Sequence, residues 1–285
     1  MDFKIEILTP ENYPPQLNEI PTIPQKLFCV GAPLPPDGLY LSVVGSRTHS
    51  SYGADVCHKL IMGLVGTPLI IVSGLALGID SIAHRSAIKA GLRTVAFPGS
   101  GLSESVLYPA TNLSLAKEIL SSGGTLVSEF EPSFKATQWS FPQRNRLMAG
   151  IAHATLIIEA TEKSGTLITA RLALDYNREV LAVPGPITSP GSLGPNLLIK
   201  QGATPITRSE DILEVFGLQQ GSTLSQAVIE LSEQEKEVLD FLQDPCSRDE
   251  LIESFGIPAQ EINSLISAME IKGLIKEELG EIRQI

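Results

Sequence analysis

Cysteine is nearly missing from this 285-residue chain: Cys29, Cys57 and Cys246 are an odd number, far apart, with no CxxC pair. That excludes a disulfide framework and fits a reducing compartment. Aromatic residues are scarce too, at 5% with a single Trp. Cations are outnumbered, 21 Lys and Arg against 32 Asp and Glu for a net charge of −11. Such a balance argues against coating nucleic acid by bulk electrostatics. With 43% hydrophobic residues, Gly 24 and Pro 20, the chain is neither disordered nor collagenous.

Long apolar runs are lacking as well. Leu60–Ile79 is twenty residues without a charge, enough to span a bilayer. However, Gly63, Gly66, Pro68, Gly74 and Gly78 break it into helix end, turn, strand and loop, so no membrane contact is expected. Met1–Glu11 is already charged and leads into the Pro-rich Tyr13–Pro36 rather than a signal peptide. The expected location is the cytoplasm.

The acidity is uneven. Residues 1–221 hold 16 cations against 18 anions, net −2, whereas residues 222–285 hold 5 against 14, net −9. Two electrostatically different modules meet near Gly221, and only the smaller one repels phosphate by its net charge.

From residue 40 onward, short β-branched runs alternate with helical patterns. Leu41–Val44, Leu69–Val72, Thr94–Phe97, Thr125–Val127, Thr155–Ile158 and Val180–Val183 read as buried strands. Tyr52–Val65, Ile79–Ala90, Leu113–Leu120, Arg144–Ala152 and Leu167–Tyr176 read as the helices between them. This alternation predicts an α/β fold, a Rossmann-like parallel sheet with helices on both faces.

Ligands of such sheets bind beyond the carboxyl ends of the strands. Strand one there runs into Gly45-Ser46-Arg47, strand two into Ser73-Gly74, strand three into Pro98-Gly99-Ser100-Gly101. A later strand leads through Glu159 to Lys163-Ser164-Gly165-Thr166. Glycine lets a backbone approach a ligand, and helix-start N–H groups point toward negative charge. With Arg47 and Lys163 at the same edge, these turns read as a phosphate cradle, although Gly and Ser occur in βα turns generally. Arg47, in a tight turn, suits a bidentate guanidinium–phosphate pair.

The segment Trp139-Ser-Phe-Pro-Gln-Arg-Asn-Arg146 sets two aromatics beside Arg144, Asn145 and Arg146, with Lys135 upstream. Rings that stack on bases and guanidinium groups that neutralise phosphates are how single strands are held. The same residues also read as a helix start, with Phe141 packed inward, Pro142 in the first turn and the arginines solvated.

Catalytic templates fail: there is no P-loop, no dinucleotide fingerprint and no HExxH. His49, His58, His84 and His153 lack metal-ligand spacing. Neither a catalytic set, a metal site nor a cofactor is expected. Asp80 opens a helix, where a carboxylate suits an N-terminal cap.

In the acidic tail, Ser232–Glu235 forms a capping box before a helix to Leu242. Helices at Ser247–Phe255 and Ala259–Lys272 and a hairpin around Gly280 complete a winged helix-turn-helix. Its third helix and wing carry Glu261, Glu270, Glu277, Glu278 and Glu281 against few cations, which disfavours duplex reading and suits protein contacts.

Several motifs in order resemble the DNA-processing protein A (DprA, also called Smf) family of bacterial natural transformation. They are Val43-Val-Gly-Ser-Arg47, Ser73-Gly-Leu-Ala-Leu-Gly-Ile-Asp80 with His84, Phe141-Pro-Gln-Arg-Asn-Arg146, Ser164-Gly-Thr-Leu-Ile-Thr-Ala170 and Val183-Pro-Gly185. The likeness covers roughly residues 13–215, and the winged-helix tail is one that many members carry. The resemblance implies an extended Rossmann fold that binds and protects single-stranded DNA, dimerises, loads the RecA recombinase, and is not an enzyme. Gly45-Ser46-Arg47 looks like the family's phosphate-binding turn, and Lys135, Phe141, Arg144, Asn145, Arg146 and Ser164–Thr166 are carried over with it. The expected organisation is a Pro-rich extension over 1–40, in place of the small helical domain of some members, a DNA-binding domain over 41–220 and the acidic winged helix over 226–285. Two other readings stay open: a nucleotide-binding enzyme using the same edge with Asp80 or Glu159 as base, and an adaptor whose acidic tail docks a basic partner.

Overall fold

All six β-branched runs form strands of one sheet in a computed structural model. It describes residues 4–162 and 164–218, and in the C-terminal unit residues 238–239, 241–242, 246–255, 259–271, 274–278 and 281–284. The strands are β3 (Leu39–Val44), β4 (Leu69–Ser73), β5 (Thr94–Ala96), β6 (Thr125–Ser128), β7 (Ala154–Ile157) and β8 (Glu179–Ala182). They run parallel in the order β6-β5-β4-β3-β7-β8. A two-residue strand, β9 (Thr204–Pro205), extends the β8 edge.

The opposite edge comes from the Pro-rich N-terminal segment. β1 (Glu6–Leu8) and β2 (Leu27–Gly31) add antiparallel strands outside β6. Tyr13, Leu17 and Ile20, on the turns between them, are buried in the same core as the sheet. Residues 4–40, read from sequence as an extension, thus cover what would be an open edge of β6. The four apolar residues Leu27-Phe-Cys-Val30 are the signal, hidden among prolines.

Side chains alternate across each strand, so every run is buried on both faces. Leu41, Val43, Leu69, Ile71, Leu156 and Ile158 pack under α1 (Ser51–Met62), α2 (Ile79–Lys89) and α7 (Ser209–Val215). Tyr40, Val44, Ile70, Val72 and Ile157 pack under α4 (Ser140–Ile151), α5 (Gly165–Asp175) and α6 (Leu193–Lys200). A third cluster seats α3 (Leu113–Ser121) on Phe28, Val30, Ala96 and Leu126. The charge-free stretch Leu60–Ile79 divides into the end of α1, β4 and the loop to α2. Among the described residues no helix is long and apolar enough to cross a membrane.

The second unit, residues 222–285, has its own core of Val238, Leu242, Leu251, Ile262, Ile266, Met269, Ile275 and Ile282. Helices α8 (Arg248–Phe255) and α9 (Ala259–Ile271) precede a hairpin of β11 (Ile275–Glu278) and β12 (Glu281–Gln284). The short strand β10 (Cys246–Ser247) pairs with β12. This is a winged-helix arrangement. The capping box at Ser232–Glu235 lies outside the described residues.

Candidate nucleic-acid interface

Strand order reverses at β3, which has β4 on one side and β7 on the other. Two loops leave the sheet there in opposite directions and open a crevice, the usual ligand position of a doubly wound sheet. A pocket of about 310 Å³ occupies it. Gly45, Ser46 and Arg47 form one wall, Ala76 and Asp80 the floor, Phe141, Asn145 and Met148 of α4 the second wall, and Ser164 to Thr166 at the start of α5 the rim.

The turn after β3 is tied locally. Thr48 N–H donates to Ser46 Oγ at 3.2 Å, and Ser46 Oγ donates to Thr48 O at 2.9 Å. Gly78 holds a left-handed φ of +79°, and a Cβ there would collide with the Ser46 and Arg47 carbonyls. The β3 and β4 loops therefore fit together only with glycine at this point. Ile79 N–H donates to Ser46 O at 3.2 Å across the same contact.

Arg47 is exposed, and its guanidinium carbon lies 4.9 Å from the centre of the Phe141 ring. Among the described residues it has neither a hydrogen bond nor a carboxylate within salt-bridge reach. A cation beside an aromatic face, within the field of the buried Asp80 but not bonded to it, is poised for an anion. Across the pocket, Ser164 caps α5, its Oγ accepting from Thr166 N–H at 3.2 Å, while Gly165 is exposed and open above its Cα. The first amides of α5 add positive potential at the rim.

Arg144 behaves differently from Arg47. It is 5% exposed; its Nη1 donates to the carbonyls of Gly74 and Phe97, and its Nε donates to Asn145 Oδ1 at 3.0 Å. Asp80, 6% exposed, accepts from Gly74 N–H at 3.1 Å and Ala76 N–H at 3.4 Å. Burial raises the Asp80 carboxyl pKa, and Arg144 opposes that rise. Burial likewise pulls Arg144 down to about 10, against the pull of Asp80. A Cβ on Gly74 would fall on both groups. Arg144 and Asp80 are thus buried, electrostatically coupled charges, each bonded to backbone groups, that shape the pocket floor; the guanidinium read from sequence as a phosphate partner at Arg144 is held by the fold's own carbonyls.

Arg146 is also committed. Its Nη2 meets Glu129 Oε1 at 2.5 Å and its Nη1 donates to Thr22 O at 2.6 Å, anchoring the N-terminal segment outside the pocket. Ser73 is buried, its Oγ donating to Val43 O at 2.6 Å, and serves the sheet. Lys135 is exposed on the loop before α4 and does not line the pocket. Lys163 lies outside the described residues. His84 is buried with Nδ1 2.7 Å from Thr94 Oγ1, and burial first, then Arg144, push its pKa down to about 3. It is a neutral core histidine. Glu159, 2% exposed, accepts from Ser50 Oγ at 2.5 Å and Ser50 N–H at 2.9 Å, holding the start of α1.

The helical pattern alone began α4 at Arg144; the helix starts at Ser140, with Pro142 in its first turn as the alternative reading of this segment had it. From that start Phe141, Arg144, Asn145 and Met148 fall on one face at i, i+3, i+4 and i+7. The earlier start would have exposed Met148 as a pocket residue.

Residues 4–217 match the family model described as DNA recombination-mediator protein A, and residues 222–281 match the DprA winged helix domain. Protein Smf of Escherichia coli is 43% identical over 210 residues, which is 73% of this chain and 56% of that protein. The chain therefore spans little more than half of that relative's length. The solved structure of DNA processing protein A from Streptococcus pneumoniae superposes with a TM-score of 0.68 at 38% identity, covering 74% of each chain. That of Helicobacter pylori, described for its unique single-stranded DNA binding mode, superposes at 0.67 with 30% identity, covering 75% of this chain and 96% of that one.

Proposed function

The chain belongs to the DNA recombination-mediator protein A family, and on that premise we propose that its crevice binds single-stranded DNA, with Arg47 taking a backbone phosphate. The observation that carries the reading is the contrast among the pocket's arginines. Arg144 is spent inside the fold, while Arg47 stands exposed over the Phe141 ring with no hydrogen bond or salt bridge among the described residues. Gly165, exposed at the start of α5, offers the same strand an N–H group at the pocket rim, and Asn145 lines the pocket while accepting from Arg144 Nε. The H. pylori relative supports the nature of the ligand.

The finer proposal is a cytoplasmic, non-catalytic mediator that acts as a homodimer, shields incoming single strands and loads a RecA-type recombinase on them during natural transformation. Catalysis has little support from the carboxylates: Asp80 is tied to two backbone N–H groups and Glu159 to Ser50. Fluorescence anisotropy with oligo-dT and a matched duplex across a salt series tests the binding. Single strands are expected to win, with affinity falling as salt rises by a log–log slope of about 0.7 per phosphate contacted. Equal affinity for duplex would overturn the reading. Filament formation by a recombinase on strands precoated with this protein tests the loading.

A further inference from the structure

Four residues of the large pocket, Arg47, Ala76, Phe141 and Arg144, also line a second, shallow cleft of about 30 Å³. Gly74, Leu77, Tyr108 and Pro109 complete it. The Arg47–Phe141 contact therefore stands as a divider with a pocket on each side. Tyr108 is 47% exposed and Leu77 48%, a large apolar surface left in water beside a guanidinium that makes no salt bridge among the described residues. The Tyr108 ring centroid lies 5.6 Å from that of Phe141 at an interplanar angle of 50°, so the two rings touch without covering each other. Tyr108 N–H donates to the buried Ser100 Oγ at 3.1 Å, which fixes the base of the side chain.

Phe141 already carries a guanidinium over its ring. A phosphate on Arg47 has a nucleoside on each side, and only one can enter the large pocket. We propose that Tyr108, flanked by Leu77, is a second base-stacking platform: the nucleotide next to the one in the large pocket crosses the divider and lays its base on the Tyr108 ring. The cleft is too small to enclose a base, so the base lies against the ring, as sequence-tolerant stacking requires. Paired bases offer no free face, so the platform selects single strands. Trp139 is more exposed still, at 55%, but lines neither cleft.

This inference rests on the single-strand reading above. The test measures oligo-dT and the mononucleotide dTMP against wild type, Tyr108→Ala, Tyr108→Phe and Arg47→Ala. Tyr108→Ala is expected to weaken oligo-dT binding by about five- to a hundredfold, leaving dTMP unchanged, with Tyr108→Phe close to wild type. Oligo-dT affinity that depends on Arg47 but not on Tyr108 overturns the platform alone; affinity indifferent to Arg47 overturns the functional reading beneath it. Because Tyr108 precedes Pro109 in a turn, a second measurement uses the unmodified protein, photocrosslinked to a 5-iodouracil oligonucleotide and mapped by mass spectrometry. Adducts at Tyr108 support the platform, and adducts confined to other residues overturn it.

Discussion

The Arg47 guanidinium carbon stands 4.9 Å over the Phe141 ring, and no carboxylate among the described residues lies within salt-bridge reach of it. Ring and cation come from opposite walls of one pocket, so each positions the other. Arg47→Lys keeps the charge but loses the planar fork that fits both ring and phosphate. We expect it to bind oligo-dT more weakly than wild type and more tightly than Arg47→Ala, by anisotropy at fixed salt. Lysine equal to arginine would show that charge alone is read.

Arg146 makes the control. Arg146→Gln removes the same unit charge, from α4 rather than from the β3 turn, and breaks the pair with Glu129 and the bond to Thr22 O. With both side chains mostly buried, a loss of about 1–3 kcal/mol of stability is expected. Oligo-dT affinity should stay within about twofold, since one distant charge is screened over roughly a Debye length. Urea unfolding and anisotropy on one preparation check both; a large affinity loss with unchanged stability would place Arg146 in the interface.

Removing Arg144 leaves Asp80 buried beside carbonyls that have lost their donor. Arg144→Met should therefore cost about 1–3 kcal/mol, the usual penalty for leaving buried carbonyls without their donor. Pairing it with Asp80→Asn should recover part of that loss. A double variant no more stable than Arg144→Met would show that Asp80 is not the charge being left.

Acid stability should follow His84. Its folded pKa of about 3 lies below the ordinary value of 6.5, so the unfolded chain binds the extra proton between those values. Stability is then full above about pH 6.5 and falls as pH drops through the window, by at most about 1.4 kcal/mol per unit for one proton. His153, also lowered by burial, acts in the same sense. Asp80, with its pKa raised, opposes them at the acid end, because there the folded protein takes up the proton first. Urea midpoints for wild type and His84→Gln from about pH 4.5 to about pH 7, that is from about two units below the histidine reference to about half a unit above it, should show a flatter curve for the variant. Parallel curves would remove His84 from the account.

Strand content, helix alternation and the acidic winged tail followed from the sequence alone, because each strand is a short β-branched run buried on both faces and each helix repeats at its own period. Arg47 was legible for the same local reason, as a cation in the tight turn directly after β3. What local pattern could not decide was which arginine faces water. Arg144 and Arg146 sit two residues apart on one helix, yet one is taken by the carbonyls of Gly74 and Phe97 and the other by Glu129 and Thr22. Those partners are distant in sequence and meet only when β2, β4, β5 and α4 pack. Likewise the Pro-rich start became a sheet edge because β6 has a row of backbone groups to satisfy, a need that belongs to the assembled sheet. The sequence determined the elements and put a cation at the strand end; the tertiary structure decided which charges remain available, since burial and distant hydrogen bonds consume the rest.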